Sequence, residues 1–502
     1  MPPDFALWYE ERHGHRPFPW QESLAARIAA GDWPDALTPP TGSGKTAVID
    51  VWLWAWLQGH AVPRRLVYVI DRRLVVDSVT VYANALAASL PGAQRPAVVT
   101  LRGGMTIDED WLSDPLRPAI IVSTVDQAGS RLLFSGYGIS PRAASIHAAL
   151  LGNDALFVVD EVHLVRPLLQ TLASVAAQRG DAVPLPWRFL PMSATWQGGD
   201  AHGLSDADWR HPLLSRRLRA AKPAVLIKLP ADADLARAVA DEALRLRRDG
   251  AAVVAAVCNR VDGARAVYEL LRPAGEAVLM TGRIRPWDRA RIAAEYLPRI
   301  AVGSRSQRAP LFVVATQTIE VGADLDLDAL VSECAPLSAL RQRCGRVNRL
   351  GELPSAPLAI VYRTPEGKTD PVYGDEVERS WKWLQRVATG KPPTVDFGIA
   401  AMARLMAEQP PPEEDQQQAP VLLPVHVELL ARTSVRHGID VAPWLHGWRS
   451  DAAEVYLCWR ADWASSSVAA APPAQHELLA VPLYALRRWD AQVADIEGGE
   501  PI

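Results

Sequence analysis

With 502 residues, 49% of them apolar and 22% charged, the chain is long enough for about three packed domains of roughly 150 residues each. Its net charge of −4 excludes a global polycation, so any nucleic-acid site must be a local basic groove on a mildly acidic body. No apolar run reaches membrane-span length, Met1-Pro2-Pro3-Asp4-Phe5 is not a basic-then-apolar leader, and Cys258, Cys334, Cys344 and Cys458 lack CxxC spacing; the expectation is a reduced bacterial or archaeal cytoplasm, no membrane partner, and cysteines that are core residues or bystanders, not metal ligands.

Phe18-Pro19-Trp20-Gln21 precedes a glycine-rich loop. The Gln21 amide has the donor and acceptor that an adenine edge requires, and an aromatic neighbour could stack on the ring; a lone glutamine is otherwise an ordinary solvated residue. The loop is Thr38-Pro39-Pro40-Thr41-Gly42-Ser43-Gly44-Lys45-Thr46. Gly42 and Gly44 bare the backbone so that successive N–H groups from Thr41 through Ser43 and beyond can curl around phosphate oxygens; Lys45 adds a point charge, and the Thr46 hydroxyl is a magnesium ligand by type. Ala47 to Gln58 is apolar almost all round and is followed by Gly59, which predicts a buried helix with its N-terminus under the phosphates. Pro39 stands where the full phosphate-loop pattern has glycine, and taken alone the stretch also reads as a glycine turn entering a helix.

Short apolar runs then alternate with helical segments. Strands are predicted at Leu66–Ile70, Ala97–Leu101, Ala119–Val122, Ala155–Val159 and Arg188–Met192, with a helix over Val75–Leu90, the pattern of a doubly wound parallel sheet. Ligands of such sheets gather at the C-terminal ends of strands, so Arg72, Arg102, Gly103 and Thr124 would share one edge, suited to a phosphodiester backbone or to ordinary loop chemistry. Ala155–Val159 runs into Asp160-Glu161-Val162-His163: Asp160 can hold magnesium through water, and Glu161 can orient and deprotonate an attacking water. Ser193-Ala194-Thr195 ends the next strand.

A second, similar unit begins near Lys222, with strands predicted at Ala224–Lys228, Ala252–Val257, Glu276–Met280, Leu311–Ala315, Ala329–Glu333 and Leu358–Tyr362. Between Thr281 and Arg308, Arg283, Arg285, Arg289, Arg291, Arg299, Arg305 and Arg308 face only Asp288 and Glu295, a nucleic-acid contact region or a solvated loop. Thr316-Gln317-Thr318-Ile319-Glu320-Val321-Gly322-Ala323-Asp324 follows a strand, and Arg341-Gln342-Arg343-Cys344-Gly345-Arg346-Val347-Asn348-Arg349 comes soon after. On a continuous helix Arg343, Arg346 and Arg349 would share a broad face, and two of them could reach a terminal phosphate held by the first unit.

Gln21, Thr41–Thr46, Asp160–His163, Ser193–Thr195, Thr316–Asp324 and Gln342–Arg349 follow the order of a superfamily 2 DEAD/DEAH-like helicase, which the chain resembles over roughly residues 15–365. The resemblance implies two tandem RecA-like α/β domains, each a doubly wound parallel sheet, plus a C-terminal accessory region. It implies ATP and magnesium held by Gln21, Lys45, Thr46, Asp160, Gly322 and Asp324, with Glu161 as base. Gln342, Arg346 and Arg349 would complete the site across the cleft; His163, Ser193 and Thr195 would couple hydrolysis to grip, and Arg283 and Thr316 would touch nucleic acid. Within that superfamily the chain is similar to the helicase part of the CRISPR-associated helicase-nuclease of type I systems. The residues behind this are Tyr68-Val69-Ile70-Asp71-Arg72-Arg73, Asp160–Leu164, Gln342–Gly351, Pro371-Val372-Tyr373-Gly374 and Trp381-Lys382-Trp383-Leu384. This implies 3′-to-5′ movement on single-stranded DNA and recruitment by a guide-RNA surveillance complex. The family's nuclease is built on a His-Asp pair, and none of the eleven histidines here precedes an aspartate; the nuclease is expected on a separate polypeptide or a C-terminal continuation.

Composition predicts the domain boundaries. Residues 1–222 form the ATP-binding unit, 223–365 the second sheet unit, 366–407 a helical extension, 408–420 a proline-rich acidic flexible linker, and 421–502 an accessory region whose tryptophans read as core or interface residues.

Overall fold

The structure is a computed structural model that describes residues 4–71, 73–103, 110–180, 183–193, 196, 198–282, 284–320, 325–364, 369–414, 417–433, 438–448, 454–460, 471 and 473–483. The first strands are β1 (Ala36–Leu37), β2 (Arg65–Ile70), β3 (Ala97–Leu101), β4 (Ala119–Thr124), β5 (Ala155–Val159), β6 (Trp187–Pro191) and β7 (Ala201–His202). The second set is β8 (Pro223–Leu229), β9 (Val253–Val257), β10 (Ala277–Met280), β11 (Leu311–Ala315), β12 (Ala329–Glu333), β13 (Leu358–Arg363) and β14 (Thr394–Asp396), and the last two are β15 (Glu454–Leu457) and β16 (Leu479–Pro482).

These strands build two large sheets. The first runs β3-β4-β2-β5-β6 and is parallel throughout. The second runs β10-β11-β9-β12-β13-β8-β14, parallel but for β14 at its edge. The central strands β5, β9 and β11 are unbroken apolar runs, buried along their whole length because both faces are covered. Leu66, Tyr68 and Ile70 of β2 enter the core on one side, while Val67 and Val69 enter the core on the other. In β9, Val253, Ala255 and Val257 face one layer and Val254 and Ala256 the opposite one. The expected tandem doubly wound sheets are therefore present, with strand ends at or within two residues of those predicted.

The C-terminal part departs from the expectation of a loose linker and a separate accessory unit. The proline-rich stretch runs as a strap between the two sheet units. Trp383 Nε1 donates to the Gln409 carbonyl at 3.0 Å and Arg379 Nη1 to the Glu413 carbonyl at 2.8 Å; the Glu414 carboxylate accepts from Ser338 N at 2.8 Å, and Ala419 N donates to Gln170 Oε1 at 2.7 Å. Leu422, Leu430, Val441, Trp444 and Leu445 then join the core of the first sheet. Leu445 lies so close that a Cβ on Gly129 would stand 2.3 Å from its Cδ2, so a larger residue there would have to displace the buried Leu445 side chain. The β15–β16 hairpin instead packs beside the helix Pro286–Ile300 of the second unit, where His476 meets Trp287 at 6.0 Å between ring centroids. A proline-rich composition describes the backbone of the strap but says nothing of the partners that hold it.

One buried side chain carries a measurable cost. His147, on the helix Pro141–Gly152, is fully buried against Trp111, and neither ring nitrogen has a hydrogen-bond partner. Burial, with Arg131 nearby, pushes its pKa down from 6.5 to about 4. The unfolded chain therefore binds a proton between pH 6.5 and 4 that the folded chain refuses, and stability is lost as pH falls through that window, by about 3 kcal/mol in total. His147→Leu is expected to remove that part of the acid sensitivity, read as the difference in unfolding free energy between pH 7 and pH 4. Equal losses in the variant and the parent chain would refute this.

Candidate active site

The phosphate-loop stretch leaves β1 and turns into a short 3₁₀ segment, Lys45–Ala47, before the helix Val48–Leu57. Gly42 and Gly44 have φ of 84° and 79°, the left-handed region that glycine enters without strain, and a Cβ on Gly44 would lie 2.8 Å from Gln21 Nε2. Three side chains hold the carbonyls of the loop. Arg217 Nη1 donates to Gly42 O, Trp20 Nε1 to Ser43 O and Gln21 Nε2 to Gly44 O, each at 3.0 Å. With its carbonyls held in this way, the loop has N–H groups to offer to an anion.

This arrangement corrects two expectations. Gln21 does not present an adenine-reading edge: it is 1% exposed, and its Oε1 accepts from Phe18 N at 2.8 Å while its Nε2 holds the loop. Trp20 is fully buried and braces the loop, so its ring is not available for stacking. Phe18 is the half-buried aromatic at this place, with the Arg217 guanidinium 5.5 Å from its ring centre.

β5 delivers the carboxylates. Glu161 follows the strand with φ of 48°, an uncommon conformation for a non-glycine residue, and Asp160 Oδ1 accepts from its N–H at 3.0 Å. Lys45 Nζ lies 3.3 Å from Glu161 Oε1 and 3.8 Å from Asp160 Oδ1. Burial opposes the charge on Lys45, but Glu161 and Asp160 outweigh it and raise the pKa. Burial also raises the pKa of Asp160, with Lys45 pulling the other way. Tyr68 OH donates to Asp160 Oδ2 at 3.3 Å, and its reach extends to the Thr46 hydroxyl. Ser193 lies buried beside this turn, its N–H donating to Leu37 O at 2.9 Å. The side chain of His163 and the whole of Thr195 lie outside the described residues, as do Gly322 and Asp324.

The second sheet unit supplies the far wall. The helix Leu337–Gly345 ends before Arg346, and Asn348 turns the chain with φ of 45°, so the three arginines do not form the helical stripe expected of them. Each has a different job. Arg343 is fully buried and gives its donors to Glu320 Oε1 at 2.8 Å, Ser332 Oγ at 3.0 Å, Asn259 Oδ1 at 3.1 Å and Tyr373 OH at 3.3 Å. Arg346 binds the carbonyls of Ile319 and Glu320 at 3.1 and 2.7 Å. Arg349 is the one that meets the first unit: its carbonyl oxygen stands 3.7 Å from the place a Gly42 Cβ would take. Gln342 is half-buried on the same helix. Arg341, missed in the sequence, lies within electrostatic reach of both Lys45 and Glu161. Arg217 was missed as well; it sits on the helix Pro212–Arg219, and no local pattern there announces a contact with a loop far upstream.

The expected nucleic-acid edge is present only in part. Arg102 and Gly103 follow β3 and Thr124 ends the neighbouring β4, but Arg102 pairs with Asp77 at 3.0 Å and Thr124 is buried. Thr316 is also buried, at the end of β11. Arg72 and Arg283 lie outside the described residues. Much of the basic stretch after Thr281 is internal bracing: Arg305 and Arg308 both pair with Asp326 and Asp328, and Arg299 pairs with Glu276 at 2.6 Å. Arg308 has a side chain only 1% exposed, so it cannot contact a strand.

The split between the arginines can be measured. Arg343→Ala leaves the buried Glu320 carboxylate without its ion pair and should cost about 3–5 kcal/mol, a large fall in melting temperature. Arg349→Ala should leave the melting temperature nearly unchanged while abolishing nucleotide turnover. Equal thermal losses in the two variants would contradict the division.

Comparison with known proteins agrees with this geometry. Residues 250–352 match the family described as CRISPR-associated nuclease/helicase Cas3, C-terminal. The CRISPR-associated helicase Cas3 of Thermoproteus tenax is 25% identical over 396 residues, covering 73% of this chain and 64% of that protein. The crystal structure of T. fusca Cas3 with ATP superposes with a TM-score of 0.66 at 18% identity, over 96% of this chain and 66% of that one. The DUF1998 helicase MrfA, solved with DNA and AMPPNP, gives a TM-score of 0.58 at 14% identity, over 86% of this chain and 55% of that one. The chain thus spans slightly less than two thirds of its Thermoproteus relative. Residues 250–352 are thus similar to the C-terminal part of the Cas3 family, and the two tandem parallel sheets are the fold that the chain shares with these solved helicases.

Proposed function

We propose that the chain is a cytoplasmic ATP-driven motor that moves 3′ to 5′ along single-stranded DNA in CRISPR-type defence. The observation that carries this reading is the pairing of Lys45 with Glu161 and Asp160 under a loop that Arg349 approaches from the other sheet unit. An incoming terminal phosphate would take over Lys45 and release Glu161 from its ion pair. Glu161 could then accept a proton from the attacking water. Thr46 and Asp160 offer the hydroxyl and carboxylate oxygens that suit magnesium, and they are the residues that would hold it. When bound, magnesium would offset phosphate charge as it develops.

Arg346 links this chemistry to movement. It ties the turn after β11 to the segment carrying Arg349, so closing of the cleft on nucleotide would shift the strand ends of the second sheet as one body. Ser193, against the turn after β5, would pass the same event to the first sheet. The resemblance to CRISPR-associated helicases supports recruitment by a guide-RNA surveillance complex, with a His-Asp nuclease supplied on another polypeptide or a continuation of this one; the relative solved with DNA supports a nucleic-acid track.

Glu161→Gln is expected to keep ATP binding within a few-fold while slowing hydrolysis about 10²–10⁴-fold, and Lys45→Ala to weaken both binding and hydrolysis. Steady-state hydrolysis with single-stranded DNA, duplex DNA or RNA, together with strand displacement on substrates tailed at either end, tests substrate and direction. Turnover at the parent rate in Glu161→Gln would sink the assignment of the base, and stimulation by RNA alone would sink the DNA track.

A further inference from the structure

The β15–β16 hairpin and the helix Pro286–Ile300 enclose an open cavity of about 440 Å³ lined by Ile284, Arg285, Asp288, Trp459 and Leu479. Trp459 in this lining is 50% exposed, and two further rings on the same helix and hairpin, Trp287 at 64% and Tyr456 at 62%, are exposed as well. Arg285 gives its Nε to Asp288 at 2.7 Å, which leaves the Nη groups of its planar fork for another partner. Arg289 and Arg291 add positive charge along the same helix.

The position matters as much as the composition. The segment entering this helix leaves the C-terminal end of β10, and the Met280 carbonyl there accepts from both Thr316 N at 3.2 Å and Thr318 Oγ1 at 2.8 Å. Two of the lining residues, Ile284 and Arg285, thus follow within five residues the C-terminal end of β10, which lies beside β11 on the side of the sheet where ligands of such folds collect.

We infer that this cavity is a nucleobase-stacking subsite for a single-stranded nucleic acid, with Trp459 and Trp287 as the ring platforms and Arg285 facing the base edge or its phosphate. An indole face accepts any base, so the subsite grips the strand without reading sequence. It lies between the second sheet unit and the C-terminal hairpin, so the hairpin acts as one jaw of a strand clamp. The inference rests on the proposed strand motor.

The experiment uses the full chain and a single-stranded oligonucleotide carrying 2-aminopurine, whose fluorescence is quenched on stacking. Trp459→Ala and Trp287→Ala are each expected to weaken binding about 10-fold and to relieve the quenching, while the slope of affinity against salt stays as in the parent, because no phosphate contact is lost. Trp459→Phe, which keeps a ring, is expected to restore binding, and melting temperatures check that each variant is folded. Parent-like affinity and quenching in both alanine variants would overturn the inference and give this face to a protein partner. A parent chain that binds no single strand at all, DNA or RNA, would overturn the motor and the subsite together; a parent that binds while the variants do not differ from it would leave the motor standing alone.

Discussion

The burial of Lys45 is the constraint on which the cleft depends. An ammonium that is only 9% exposed keeps its charge because Glu161 and Asp160 stand beside it, and that need fixes where β5 must end relative to the phosphate-loop stretch. The same three charges set the chemistry. Lys45 is held by Glu161, the group proposed above as base, so in that proposal the binding of an anionic ligand and the release of the carboxylate are one event. Tyr68, on the strand next to β5, holds Asp160 from below, and Arg341 approaches from the second unit.

Around that centre the molecule separates holding from reacting. Trp20, Gln21 and Arg217 hold loop carbonyls, while Arg343 is spent on the interior of the second sheet unit. Such groups resemble reactive ones by residue type, and only their partners tell them apart. A guanidinium that meets a buried carboxylate, a hydroxyl and an amide oxygen has few donors left for a phosphate. Arg349 differs in place: its carbonyl oxygen and side-chain stem, not a carboxylate-bound fork inside the second unit, stand beside Gly42. The strap over residues 408–420 belongs to the holding class as well: Glu414 reaches the first turn of the helix that carries Arg341 and Gln342, and Leu422 beyond it enters the core of the first sheet, so the strap ties the two units together.

Much of this was legible in the chain. β5, β11 and β12 lie where continuous apolar runs predicted, because a strand buried on both faces has no room for polar residues and so marks itself. Gly42, Gly44, Lys45, Asp160 and Glu161 were legible because their chemistry is local: backbone freedom, a charge and a strand end occur within a few residues of one another. Arg305 and Arg308 misled, since a basic stretch looks the same whether its counter-charges are phosphates or, as here, Asp326 and Asp328 some twenty residues on. The proline-rich strap misled for a related reason, as composition reports the cost of ordering a segment but not the bonds that meet it.

The sequence by itself determined the two doubly wound sheets, and it singled out the loop, the carboxylates and the second-unit segment that the structure brings together. Tertiary structure alone decided that Gln21 braces the loop, that Arg343 is interior while Arg349 meets Gly42, and that the C-terminal segment divides between the two units. The physical reason is the range of the interactions. Strand burial and phosphate-loop geometry are properties of neighbouring residues, whereas the partner of a buried amide or guanidinium comes from wherever folding brings a carbonyl or carboxylate within about 3 Å.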